Sequence, residues 1–141
     1  EVTIGTWNVR TMAVQEANGV RHAKLLITTV RRSGCDIIGS QETRRAGQSS
    51  IYAAGYTVFV IESEPGGLHG VETAVREAIA KEGGCKPEFV SDRLTTIRIQ
   101  LPGKSNAVPC VVRYVPTEVA TDSARTGFWT ALHNTAASER P

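Results

Sequence analysis

The sequence predicts an α/β domain with a mixed sheet and flanking helices. Two observations carry that expectation. A strand, a helix and a second strand follow one another between Glu1 and Ser40, and a crossover unit of that spacing implies parallel pairing. Two alternating apolar runs, Leu94 to Leu101 and Val108 to Val115, flank the turn Pro102-Gly103-Lys104-Ser105-Asn106 and predict an antiparallel hairpin. A length of 141 residues, 40% hydrophobic and 21% charged, fits one domain with a real core.

Each element has its own reason. Glu1 to Arg10 reads as a buried strand, with Val2, Ile4, Trp7 and Val9 as β-forming bulk. Met12 to Gly19 reads as a loop. Val20 to Arg32 reads as a helix, because Val20, Ala23, Ile27 and Val30 share a face, and Gly34 ends it. Cys35 to Ser40 is the second strand. Gly47 to Gly55 is small and polar, a connection with a short helical turn at Ile51 to Ala54. Tyr56 to Ile61 is β-rich, and Pro65-Gly66-Gly67 is a turn signal. Gly70 to Arg76 alternates and predicts a half-exposed strand. Ala78 to Pro87 reads as a loop or short helix. Pro116 closes the hairpin, and Asp122 to Ala137 is the last helix, with Thr121 as its N-cap.

Composition excludes several classes. The formal net charge of +2 does not by itself argue for nucleic acid. The basic residues are mostly arginine, which favours bidentate phosphate contacts and also ordinary ion pairs. Cys35, Cys85 and Cys110 are odd in number, widely spaced and without Cys-x-x-Cys, so neither a disulfide framework nor a zinc site is indicated. No apolar run reaches transmembrane length and no secretory signal is visible. The expectation is an intracellular protein, nuclear or cytoplasmic, with no membrane partner.

Chemistry is to be sought where strands end. Ligands of α/β sheets bind at the carboxyl ends of strands. Asp36-Ile37-Ile38-Gly39-Ser40 ends abruptly in Gln41-Glu42-Thr43-Arg44-Arg45, and Glu42 is a metal-ligand candidate. Its plain alternative is a solvated loop glutamate paired with Arg44 or Arg45. Thr6-Trp7-Asn8-Val9-Arg10 and Tyr114-Val115-Pro116-Thr117 are two further polar strand ends. Asn8 also reads as a turn-capping residue, and Tyr114 as an edge tyrosine with a wet hydroxyl.

The order and spacing of these three segments resemble the endonuclease/exonuclease/phosphatase superfamily. Within it they resemble the apurinic-type endonuclease domains of non-LTR retrotransposons, a group to which the craniofacial development protein 2-like sequences belong. Ala53-Ala54-Gly55-Tyr56, Gly66-Gly67 before Gly70-Val71, and Val90-Ser91-Asp92-Arg93-Leu94 add to the likeness, which runs from Val2 to the final helix. The resemblance implies a DNase I-like, four-layer α/β sandwich, of which the 141 residues would be the N-terminal half, a partial domain. It implies Glu42 as ligand of a catalytic Mg²⁺, with Mn²⁺ as substitute, and Asn8 orienting the metal or a phosphate oxygen. It implies Tyr114 near the scissile phosphate, and DNA as partner. Arg44 and Arg45 would contact the DNA backbone, and Gln41 and Thr43 would shape the site.

The same resemblance implies an Asp-x-Asn motif and a later Asp-His pair for handling the attacking water. The sequence ends at Pro141 with neither. His22, His69 and His133 are expected to be exposed or partly buried surface histidines, and Asp92 is not expected to act as a base. Val71-Glu72-Thr73 stands where relatives carry a second glycine and a small apolar residue. Arg113 stands where a small residue is usual, and a charge on a covered face would be costly unless paired. Three functional expectations follow. The first is a Mg²⁺-dependent DNA endonuclease domain of retrotransposon origin, truncated and inactive as this chain. The second is a non-enzymatic remnant that binds nucleic acid or a partner. The third is a phosphatase of the same superfamily. One sheet lacking its partner sheet would self-associate through the uncovered face.

Overall fold

A computed structural model of the chain describes residues 1–9, 28–44, 49–61, 69–101 and 103–138. The fold is mixed α/β. The first sheet has five strands: β1 (Ile4–Asn8), β2 (Ile37–Gln41), β3 (Ser49–Ala53), β4 (Tyr56–Ile61) and β5 (Val71–Arg76). Their spatial order is β1-β2-β5-β4-β3. The second sheet has three, β6 (Cys85–Ser91), β7 (Leu94–Ile99) and β8 (Val108–Arg113), in that order. Residues 28–33 are helical and form the described part of α1; α2 is Glu77–Gly83 and α3 is Asp122–Ser138.

Strand β1 pairs parallel with β2, Ile4 opposite Ile37 and Asn8 opposite Gln41. That is the crossover pairing the sequence predicts. The other pairings in both sheets are antiparallel, including the β7–β8 hairpin, in which Ile97 faces Cys110. Most of the predicted first helix, 20–27, lies outside the described residues, as does the turn at Pro65-Gly66-Gly67. Gly34 follows α1 with φ +70, the left-handed conformation that suits glycine after a helix. Thr121 caps α3: its Oγ1 accepts from the Ala124 N–H at 3.2 Å.

Strand alternation sorts the apolar residues into two cores. Ile38 of β2 packs with Val30 of α1, Tyr56, Val58 and Val60 of β4, and Ala74 of β5. Ile37, one residue earlier, packs on the opposite face with Val75, Ile79 of α2, and Ile97 and Ile99 of β7. The five-stranded sheet therefore lies between helix α1 and the three-stranded sheet. Each fully buried Val, Leu or Ile here contributes about 1.5–3 kcal/mol. Gly39 marks the closest approach of the sheets: a Cβ there would meet Val112 Cγ2 of β8 at 2.8 Å.

Several expectations are corrected. The second sheet is present, so the inner face of the first is largely covered; what stays open is β1, whose Ile4 is 61% exposed. Strand β1 is accordingly not a buried strand but an edge strand with one face packed. The connection 47–55 contains β3 instead of a helical turn. Ala54 (φ 51) and Gly55 (φ 86) form a two-residue hairpin loop, both left-handed, which joins β3 to β4. Strand β5 is not half-exposed; it is central in its sheet and buried on both faces, Glu72 included. The segment 78–87 holds most of α2, the short helix that was one of its two expected forms, and then the start of β6, an unexpected edge strand whose Lys86 and Pro87 hide the β pattern. Arg113 points to solvent, so it carries no burial cost.

Candidate functional site

Parallel, in-register pairing puts the carboxyl ends of β1 and β2 side by side, so Asn8 and the residue after Gln41 emerge together. Antiparallel pairing of Gln41 with Val71 brings the start of β5, and with it His69 and Gly70, to the same end. In the second sheet Leu94 lies opposite Arg113, so Arg93 and Tyr114 meet where β7 begins and β8 ends. Five segments far apart in sequence converge at one end of the molecule.

Glu42 is the centre. Asn8 Nδ2 donates to Glu42 Oε1 at 2.7 Å. The Tyr114 phenol lies close enough to the same carboxylate to feel its charge. The Arg44 guanidinium lies 4.0 Å from Glu42 Oε2. Glu42 and Arg44 both adopt left-handed backbone conformations, with φ of 60 and 52. Such positions cost of order 1 kcal/mol and persist where the surroundings hold them. The holding contacts are visible: Arg44 N–H donates to His69 O at 2.8 Å, Thr43 N–H to Gly70 O at 3.2 Å, and Gly70 N–H to Asp92 O at 3.1 Å. Thr43 between them is fully buried.

Burial, then the hydrogen bond to Glu42 and the charge of its carboxylate, push the Tyr114 phenol above its ordinary range, against the opposing pull of Arg93 and Arg44. The phenol is therefore protonated at neutral pH and has a proton to donate. Gln41 Nε2 donates to Thr6 Oγ1 at 2.8 Å, which fixes it beside Asn8. A cleft of about 380 Å³ runs from this end between β1–β2 and β8, polar at Asn8, Gln41 and Tyr114 and apolar towards Ile4, Cys110 and Val112.

Of the residues singled out from sequence, Asn8, Glu42, Arg44 and Tyr114 come together, while Arg45 lies outside the described residues. Gln41 and Thr43 border the cluster. His133 is exposed on α3, away from any such grouping in sequence, and His22 lies outside the described residues. His69, expected to be an exposed or partly buried surface histidine, is partly buried, against the Tyr114 ring with centroids 5.7 Å apart. Arg93 sits over the same ring at 4.9 Å. Sequence reasoning reached Arg93 only as part of a motif and missed its contact.

The ligand atoms available here are the Glu42 carboxylate oxygens and the amide oxygen of Asn8, whose Nδ2 is the atom turned to Glu42. A hard divalent cation that keeps most of its water fits that set, with a substrate phosphate completing it. No group of three or more His, Cys, Asp or Glu side chains that could hold a metal occurs among the described residues. No helix among them is long and apolar enough to cross a membrane. Compared with known proteins, the chain matches no family model and no characterised relative.

Proposed function

We propose that the chain is the metal- and phosphate-holding part of a DNA-directed, Mg²⁺-dependent endonuclease domain. Its fold would be the DNase I-like sandwich of the endonuclease/exonuclease/phosphatase superfamily, in the form carried by non-LTR retrotransposons. One observation supports this above the rest. Asn8 Nδ2 and Glu42 Oε1 are 2.7 Å apart, and Tyr114 lines the same cleft as Asn8, near enough to the carboxylate to feel its charge. These are the three positions for which the sequence resemblance implies roles.

In this reading Glu42 and Asn8 hold the cation through their oxygens. When bound, the cation neutralises charge on the phosphoryl and leaving oxygens. Tyr114, kept protonated, donates to a phosphate oxygen. Arg44 balances negative charge beside the carboxylate and meets the nucleic-acid backbone, and Arg45 next to it in sequence would extend that contact. No residue pair in the 141 supplies the Asp-x-Asn or Asp-His function, so the group that takes the proton from water is not among them. That observation favours a second reading, in which the chain binds nucleic acid and hydrolyses nothing.

The test separates binding from cleavage. Fluorescence anisotropy of a labelled duplex, with Mg²⁺ or with EDTA, is expected to give metal-dependent binding that Glu42→Ala weakens about tenfold, the loss of roughly one charge-assisted contact. Supercoiled plasmid is expected to stay unnicked by this chain alone. Binding indifferent to both metal and Glu42→Ala would overturn the proposal. Nicking that depends on Mg²⁺ and on Glu42 would remove the second reading.

A further inference from the structure

Several basic side chains face a carboxylate. Arg76 pairs with Asp36 at 2.7 Å, Lys81 with Glu77 and Arg125 with Asp122, and Arg44 lies 4.0 Å from Glu42. Others, such as Arg113 and Lys104, are exposed and solvated. Arg93 fits neither group. It is partly buried, and among the described residues it takes part in no ion pair, although Asp92 precedes it in sequence. A cation withdrawn from water is costly unless something compensates it.

What holds Arg93 in place carries no charge. Its guanidinium lies 4.9 Å from the centroid of the Tyr114 ring, and Nη1 donates to Tyr114 O at 3.5 Å. Nη2 and His69 Nε2 are 2.6 Å apart. Arginine has donors and no acceptor, so Nε2 accepts and the imidazole is neutral. The main chain is tied as well: the Arg93 N–H donates to Ser91 Oγ at 3.3 Å, and Arg93 O accepts from the Tyr114 N–H at 2.8 Å. These contacts use one N–H on each Nη. The Nε–H and the second N–H of each Nη meet no acceptor among the described residues. An edge made of an Nε–H and an Nη–H is the fork that grips a tetrahedral oxyanion with two parallel hydrogen bonds. It stands at the end of the molecule where Tyr114 lines the cleft with Asn8 and Gln41, and where His69 O accepts the Arg44 N–H at 2.8 Å.

We propose that Arg93 is a phosphate-binding residue, which presents a charged, two-donor edge while the His69 imidazole and the Tyr114 ring set its plane. Neutral supports suit that task. A carboxylate in the place of His69 would fix the guanidinium equally well but would cancel the charge that attracts an oxyanion. In the function proposed above, the ligand is a backbone phosphate of the nucleic acid, next to the one held at Glu42. That assignment rests on the earlier reading; the oxyanion site does not, since a free phosphate has the same chemistry.

The first arm of the test uses inorganic phosphate and no DNA or metal. Guanidinium Nε–H signals are followed by ¹H–¹⁵N NMR in EDTA while phosphate replaces chloride at constant ionic strength. The Arg93 signal, identified by its loss in Arg93→Lys, is expected to shift and saturate, while that of the exposed Arg32 stays in place. An Arg93 signal that moves no more than the Arg32 signal overturns the proposal. The second arm identifies the source of the phosphate through the salt dependence of duplex binding. Arg93→Gln is expected to lower the slope of log Kd against log salt by about one, and Lys104→Gln, in the β7–β8 turn, to leave it unchanged. Arg93→Lys is expected to keep the slope and weaken binding, because it keeps the charge and loses the fork. A saturating phosphate signal with an unchanged slope in Arg93→Gln supports the oxyanion site and removes the nucleic-acid backbone as its ligand. Should the chain bind no duplex at all, the function proposed above fails, and the phosphate titration still decides the role of Arg93.

Discussion

Gly70 shows how closely the site depends on single residues. Its φ of +112 suits glycine, and a Cβ there would meet Thr43 Oγ1 at 2.7 Å and the Arg44 backbone nitrogen at 3.0 Å. Gly70→Ala is expected to cost about 1–3 kcal/mol, read as a lowered urea midpoint, because the clash falls on backbone that holds Glu42 in place. Tyr114 gives a pH dependence of defined sign. Its phenol is raised above the ordinary 10.0 by burial and by Glu42, so the folded state favours the protonated form. The stability this contributes is complete below about pH 10 and is lost as pH climbs through the raised folded value. Melting curves between pH 9 and pH 11 should therefore fall less steeply for Tyr114→Phe than for the unaltered chain. Glu42, Asn8 and Tyr114 were singled out because the family resemblance implies roles for them; their residue pattern alone favoured a loop glutamate, a turn-capping asparagine and an edge tyrosine. His69 and Arg93 were not legible, since their partnership comes from the pairing of β2 with β5 and of β7 with β8, which sequence spacing does not reveal.

At the scale of elements, β2 carries the architecture. Its residues alternate between the two cores, and Gly39 lets β8 cross it closely. Gly39→Val would drive a branched side chain into Val112, and overpacking of this kind costs about 1–3 kcal/mol. Chemical denaturation of Gly39→Val, compared with a Gly39→Val, Val112→Ala double variant, should show the loss partly recovered. The elements predicted from periodicity were found where their pattern was undisturbed: β2, β4, β7, β8 and α3. Those misread share a reason. Strands β3 and β6 lie at sheet edges, where a strand tolerates serine, lysine and proline and so lacks the apolar signature. Strand β5 failed in the other direction. Its alternation suggested one wet face, but a central strand with a second sheet against it is buried on both.

For the whole molecule, the arrangement of two sheets leaves one uncovered margin. The three-stranded sheet packs on β2 and β5, and a cleft lies between β1 and β8, where Ile4 is 61% exposed, with Val111 and Val115 at 39% and 40%. An apolar margin of this kind favours association. Sedimentation velocity should show concentration-dependent self-association that Ile4→Glu suppresses without lowering the melting temperature, since Ile4 contributes little to either core. The α/β class was readable from the crossover and the hairpin alone. The second sheet was not foreseen, because β6 carries no strand pattern and because which face of a sheet is covered depends on contacts between distant segments. The convergence at Glu42 has one more consequence, in the order of events during synthesis. Asn8 and Glu42 are 34 residues apart, and Tyr114 is further still along the chain. A ribosome must deliver residues well past both sheet edges before the phenol can reach the carboxylate. Any nascent chain that stops short of β8 carries Asn8 and Glu42 without the hydroxyl, so the complete cluster forms only after β8 has been made.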